Sequence, residues 1–237
     1  MFKVLRSVVW GEAALALLSK CNRLDPGRPA VMHIRHTERP VIDTIGEGRG
    51  MLSTPRGKEA AFEFGAGLPE SRRYRLFHTY YDRAKETALK IQEGIKDRGS
   101  VSKVGGAIPV ATVLDHDAYM EYLSEYADTD DHAKNFFRDW TSKRIPSKMV
   151  LPSLEFAREM AQFMMDTLRG ARHDSFDIYV SHDVWVAALM FHWFGLKPHD
   201  DWYTFLDGFI MQLGDEGVTV YYRDEFKAVP YPSWWPR

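Results

Sequence analysis

Short apolar runs and amphipathic stretches alternate along most of this chain. The run Ala30-Val31-Met32-His33-Ile34, released by the turn Leu24-Asp25-Pro26-Gly27, predicts a strand over 30–35. Comparable runs predict strands over 74–80, 108–114 and 177–181. An amphipathic pattern predicts a helix over 3–19, and a Ser53 or Thr54 cap with Pro55 in the first turn predicts one over 55–65. Asp82 is an expected N-cap for a helix through Arg83, Thr87, Leu89 and Ile91. Residues 117–168 are mostly helical in pattern, with Leu154, Ala157, Ala161, Met164, Met165 and Leu168 on one face. An apolar helix over 185–194 ends at Gly195, and 208–213 with 218–222 predict a hairpin across the turn 214–217.

Strands alternating with helices predict an α/β fold: three layers, a mainly parallel central sheet with helices on both faces, and an antiparallel edge hairpin. A single domain over 1–237 is expected, with a helical cap insertion at about 115–170 shaping the entrance to any site. The loop 40–53 carries Gly46, Gly48 and Gly50, and the Pro- and Trp-rich tail 230–237 is expected to pack on the body. There is no internal repeat and no low-complexity segment.

Composition narrows the function classes. A hydrophobic fraction of 45% suits a packed core, and a net charge of -2 lacks the basic excess that nucleic-acid or anionic-membrane binding relies on. Any positive potential must therefore be local. The single cysteine, Cys21, excludes an intrachain disulfide, is expected to be a buried or incidental thiol, and is compatible with a reducing, cytoplasmic setting. Residues 1–20 superficially resemble an export signal, but Glu12 interrupts the apolar stretch and no A-x-A-like site follows. No run approaches the ~18 apolar residues of a membrane span.

The chemistry concentrates where two predicted strands end. Arg35-His36-Thr37-Glu38-Arg39-Pro40 follows the first strand, and His182-Asp183 follows Ile178-Tyr179-Val180-Ser181. Polar groups at the C-terminal ends of strands in an open α/β sheet lie where such sheets bind ligands. A histidine flanked by guanidinium groups suits phosphate. His36 is the candidate nucleophile, kept neutral by neighbouring positive charge. Arg35, Arg39 and Arg83 present forked donors that match phosphate oxygens, His182 adds a further donor, and Asp183 is the candidate proton donor. No metal or other cofactor is called for.

These residues resemble the histidine phosphatase superfamily, which includes acid phosphatases and phosphoglycerate mutases. Arg35-His36-Thr37-Glu38-Arg39 is similar to the R-H-G-x-R motif of the acid phosphatase branch. Ser53-Thr54-Pro55-Arg56-Gly57 resembles its L-T-x-x-G segment, Arg83-Ala84-Lys85-Glu86-Thr87-Ala88 its R-A-x-x-T-A helix start, and Ser181-His182-Asp183 its late H-D pair. The resemblance spans about residues 30–225. It implies phosphomonoester hydrolysis through a phosphohistidine on His36, with Arg35, Arg39, Arg83 and His182 on the phosphate and Asp183 as the acid. The expected partner is a small phosphomonoester. Thr37 departs from the pattern, because it stands where the family usually has glycine. In the mutase branch the acid comes from a glutamate after the second arginine, for which Glu121 or Glu125 can serve.

Blander readings stand beside these. Asp183 suits a helix N-cap, a role it could fill beside that of the acid, His33 a strand residue on a polar or packed face, and His192, His199 and Asp200 a solvated surface. Tyr119, Tyr122, Tyr126, Phe136, Phe137 and Trp140 suit either a substrate cap or core. Two rival classes are a non-catalytic phosphate-binding or interaction protein and a metal-dependent, all-helical H-D phosphohydrolase.

Overall fold

Hydrophobic alternation along each central strand separates two cores. In the computed structural model, which describes residues 2–41, 50–124, 132–198, 200–223 and 225–236, the chain runs α1 (Gly11–Cys21), β1 (Ala30–Arg35), α2 (Pro55–Ala66), β2 (Arg73–His78) and α3 (Asp82–Asp97). It continues with β3 (Ser102–Ala107), α4 (His116–Ser124), α5 (His132–Thr141), α6 (Ser153–Leu168), β4 (Ser175–Ser181) and α7 (Asp183–Phe194). The last elements are β5 (Gly208–Leu213), β6 (Gly217–Tyr222) and β7 (Glu225–Pro230).

One seven-stranded sheet has the order β3-β2-β4-β1-β5-β6-β7. Its β3-β2-β4-β1 half is parallel and the β5, β6 and β7 pairings are antiparallel. Ala30, Met32 and Ile34 of β1, with Ile178 and Val180 of β4, bury against Leu17 of α1, Phe64 of α2 and Ile91 of α3. The opposite parity, including Val31, Tyr179 and Phe209, packs on Phe156 and Met160 of α6 and Trp185 and Leu189 of α7. The result is the expected three-layer α/β architecture. α7 is apolar nearly all round because α6, α5 and the sheet enclose it, and Gly195 ends it at φ 64, a left-handed C-terminal position.

Several boundaries differ from the sequence reading for physical reasons. Residues 3–9 form turns, and the first helix starts only at Gly11, because the Glu63 carboxylate of α2 accepts the backbone N–H groups of Lys3, Val4 and Leu5 at 2.7–2.9 Å. The third strand lies at 102–107 instead of 108–114, where an isolated bridge from Val113 to Val150 is the only β pairing among the described residues. Ile108 and Val110 are buried, so their apolar pattern reports core packing without strand pairing. β7 extends the expected hairpin by one strand. Tyr81, not Asp82, is the N-cap of α3, and the helical pattern over 117–168 is broken by a loop across 142–152. Phe136, Phe137 and Trp140 are core, with Tyr119 and Tyr122 packed against it; Tyr126 lies outside the described residues. In the tail, Trp235 is buried edge-on to Trp193 at 4.8 Å. Among the described residues no helix is long and apolar enough to cross a membrane.

Candidate active site

Three adjacent parallel strands end at one level. Arg35 of β1 is in register with Ser181 of β4, the His36 N–H donates to the Ser181 carbonyl at 2.9 Å, and the Thr79 N–H donates to the Val180 carbonyl at 3.1 Å. The residues that follow β1, β4 and β2 are thereby gathered: His36 to Arg39, His182 with Asp183, and Thr79 to Arg83. α3 starts close behind β2, so Arg83 sits in its first turn. Two glycines let α3 approach α2: a Cβ on Gly65 would lie 2.0 Å from the Ile91 carbonyl oxygen, and one on Gly94 2.1 Å from that of Phe62.

His36 is 2% exposed and its protonation is legible from its partners. Nδ1 lies 2.7 Å from the Thr37 carbonyl oxygen, which can only accept, so Nδ1 carries the proton. Nε2 then presents its lone pair, and Arg83 Nε donates to it at 3.0 Å. Burial first, then the positive potential of His182, Arg35 and Arg83, holds the His36 pKa well below the ordinary value. This is a neutral imidazole with its Nε2 aimed among guanidinium groups.

His182 stands edge-on to His36 with ring centroids 5.5 Å apart, and its Nε2 meets Thr79 Oγ1 at 3.1 Å. Burial and the charge of Arg83 pull its pKa down to about 3. Arg35 donates from Nη1 to the Tyr203 carbonyl at 2.6 Å and lies over the Phe205 ring at 4.6 Å. Arg39 donates to the Pro40 carbonyl at 2.7 Å, and Arg83 lies over the Tyr81 ring at 4.6 Å. The Nε atoms of Arg35 and Arg39 are buried without an acceptor among the described residues. Burial and Arg39 lower the Arg83 pKa to about 10, which leaves it charged at neutral pH. Three cations held this close repel one another, and an anion such as a phosphate dianion would supply both the missing acceptors and the missing negative charge.

Asp183 faces this group from the first turn of α7. Its Oδ1 accepts the Val184 N–H at 2.9 Å, its Oδ2 accepts the Trp202 indole N–H at 3.1 Å, and Arg35 Nη2 lies 3.4 Å from Oδ2. Burial alone would raise its pKa; Arg35 and the two hydrogen bonds outweigh burial and hold the carboxyl below its usual range. The N-cap of α7 is His182, so the helix-cap alternative for Asp183 does not hold.

The loop bearing His36 is tied down at both ends. Thr37 is fully buried, its Oγ1 donates to the Gly57 carbonyl at 2.8 Å, and its N–H donates to Thr87 Oγ1 at 3.1 Å. Its backbone is not in the left-handed region. Thr54 caps α2 by accepting from the Gly57 N–H at 2.9 Å, and it donates to Glu38 at 2.6 Å while Arg56 pairs with the same carboxylate. The motif segments identified in the sequence are thus braces for the site.

All six expected site residues, Arg35, His36, Arg39, Arg83, His182 and Asp183, converge on this one point. Glu121 is exposed on α4, and Glu125, Gly46, Gly48 and His199 lie outside the described residues. His33 is a packed strand residue, bonded through Nε2 to Ser181 Oγ at 2.7 Å and stacked between Tyr179 and Phe209. His192 is not solvated surface: it is partly buried and meets Ser153 Oγ at 3.0 Å. The Cys21 thiol is buried and pushed up to about 12, chiefly by burial. Sequence reasoning missed Thr79, Tyr81, Trp202 and Phe205, which touch site residues from segments without a motif. Among the described residues no group of three or more His, Cys, Asp or Glu side chains is arranged to hold a metal ion.

A scan of protein-family models gave no match, and neither did a search of curated protein sequences. Solved structures do match. The Bacillus stearothermophilus protein YhfR superposes with a TM-score of 0.53 at 16% identity, covering 85% of this chain and 96% of its own. Alpha-ribazole phosphatase from Shigella flexneri gives 0.51 at 17% identity, covering 83% and 96%. Phosphoglycerate mutase from Bacillus anthracis gives 0.50 at 12% identity, covering 86% and 93%. The arrangement of strands and helices in this chain is therefore the fold that these three proteins share.

Proposed function

We propose that this chain is a phosphomonoester hydrolase acting through a phosphohistidine on His36. The observation that carries this reading is the tautomer of His36, a neutral ring with Nδ1–H spent on the Thr37 carbonyl and the Nε2 lone pair directed to the Arg83 guanidinium, with the charge of Arg35 also acting on the ring. An arriving phosphate takes over the Arg83 N–H that now caps Nε2 and fills the open Nε donors of Arg35 and Arg39. Nε2 then attacks phosphorus as the P–O bond to the leaving group breaks, and Asp183 gives its proton to the departing oxygen. In the second half the Asp183 carboxylate takes a proton from water, which attacks phosphorus; the P–N bond breaks and His36 returns to its neutral form. The guanidinium forks and His182 bear on the equatorial oxygens throughout. The substrate is expected to be a small phosphorylated molecule.

The all-helical rival is incompatible with a seven-stranded sheet that delivers His182 from a strand end. The non-catalytic rival draws its support from the departure at Thr37, whose side chain is turned to Gly57 and whose backbone is outside the left-handed region. Hydrolysis of p-nitrophenyl phosphate tests the proposal: the rate should survive EDTA and be lost in His36→Ala, and equal rates for the two proteins would remove His36 from the chemistry.

A further inference from the structure

The segment 201–207 carries no motif, yet it wraps both the phosphate-binding and the proton-donating halves of the site. Its Tyr203 and Asp207 carbonyls accept Arg35 Nη1 and the Arg35 N–H at 2.6 and 2.9 Å, and its Trp202 indole N–H donates to Asp183 Oδ2 at 3.1 Å. Two residues of this strap have left-handed backbones, Trp202 at φ 60 and Leu206 at φ 57. Large side chains rarely adopt that conformation, and it persists only where the surroundings impose it. Arg223 does so here: from the β6–β7 turn, itself at φ 43, it donates to the Trp202 carbonyl at 2.7 Å, to Asp207 Oδ2 at 3.3 Å and to Asp201 Oδ1 at 2.7 Å.

We propose that Trp202 is a positioning residue for the proton donor, its indole N–H aiming the Asp183 carboxyl into the site while Arg223 clamps the strained strap that presents it. The inference rests on the phosphohydrolase reading above. The groups that act on Asp183 are Arg35 from β1, Arg39 from the loop after it, Arg83 from α3, His182 before α7 and Tyr119 from α4. Apart from the adjoining Val184 N–H, Trp202 supplies the neutral hydrogen bond to this carboxylate among the described residues. A donor to the ionised form disfavours the acid form, so removing it makes Asp183 hold its proton to higher pH. The same removal frees the carboxyl to rotate.

The test uses Trp202→Phe in the full chain, with kcat followed against pH on p-nitrophenyl phosphate and on glycerol 2-phosphate. The alkaline limb should move up by about half to one pH unit. Loss of kcat should be roughly tenfold on glycerol 2-phosphate and much smaller on p-nitrophenyl phosphate, whose leaving group needs little proton assistance. Should the Phe variant fail to fold, benzothienylalanine at 202, which keeps the ring shape and lacks the N–H, carries the same expectation. An unmoved limb with an unchanged ratio between the two substrates overturns the inference, whatever happens to stability, because Trp202 then only packs on Phe137 and Tyr203. If His36→Ala still hydrolyses either ester at the wild-type rate, or the wild type hydrolyses neither, the underlying reading fails with it.

Discussion

Thr37 offers the sharpest test of how the nucleophile loop is held. If its side chain obstructed phosphate, Thr37→Gly would liberate activity; the structure predicts damage. Thr37 is fully buried, donates to the Gly57 carbonyl at 2.8 Å and has an ordinary backbone conformation. Removing the hydroxyl loses this buried hydrogen bond at a cost of about 1–1.5 kcal/mol. Losing the methyl adds about 0.8 kcal/mol, and the extra freedom of glycine in the unfolded chain a further ~0.5–1 kcal/mol. The sum is about 2.3–3.3 kcal/mol, or a fall in Tm of roughly 5–13 °C for a chain of this size. Thr37→Val keeps the shape and loses only the hydrogen bond, so its fall should be about half as large. Calorimetry on the three proteins, with kcat/KM on p-nitrophenyl phosphate alongside, checks both numbers. A Thr37→Gly protein of unchanged Tm and several-fold higher kcat/KM would refute the reasoning.

Acid should destabilise the fold in a defined window. Burial lowers the His33 and His182 pKa values to about 3 and that of His192 to about 4, and holds His36 well below 6.5. The unfolded chain takes up these protons as pH falls through about 6.5 and the folded chain does not, so stability is fully present above that pH and is lost from there toward pH 3–4. Each histidine contributes about 1.4 kcal/mol per pH unit within the window, and Tm measured from pH 7.5 to 4.5 should hold level to about pH 6.5 and fall below it; a profile flat throughout would mean the rings are charged in the fold. Activity should rise toward acid until unfolding cuts it off, because Asp183 donates only when protonated; an alkaline optimum would move the acid elsewhere. Asp183→Asn should bind inorganic phosphate within a few-fold of wild type while slowing glycerol 2-phosphate turnover by about 10²–10⁴; unchanged turnover would point to Glu121. Arg83→Lys keeps the charge but loses the fork that reaches His36, and kcat/KM should fall about 10- to 100-fold. A wild-type value would place Arg83 outside the phosphate contacts.

What could be read from sequence was what local pattern determines. β1 and β4 announce themselves as continuous apolar runs because both faces are buried, Thr54-Pro55 marks the start of α2, and Gly195 the end of α7. The site residues were legible because they lie at or just beyond the end of such a strand or open a helix. β3 was misplaced because its sequence, Ser102-Lys103-Val104-Gly105-Gly106-Ala107, is a glycine-rich edge with little to bury. β7 escaped notice for a related reason: it is an edge strand whose residues are mostly exposed and carry no alternation. The helix expected over 3–19 yielded to Glu63, a partner 58–60 residues away that no window of periodicity can see. Trp202 and Phe205 were invisible likewise, since their importance lies in reaching across to Asp183 and Arg35.

Trapping the intermediate tests the central claim most directly. Wild-type and Asp183→Asn proteins are mixed with phosphate-labelled p-nitrophenyl phosphate, quenched in alkali and digested. The account predicts an acid-labile, base-stable phosphoryl group on the peptide containing His36, at higher occupancy in Asp183→Asn if hydrolysis of the intermediate is slowed more than its formation, and none in His36→Ala. Turnover without label on His36, or label that persists in His36→Ala, would contradict it.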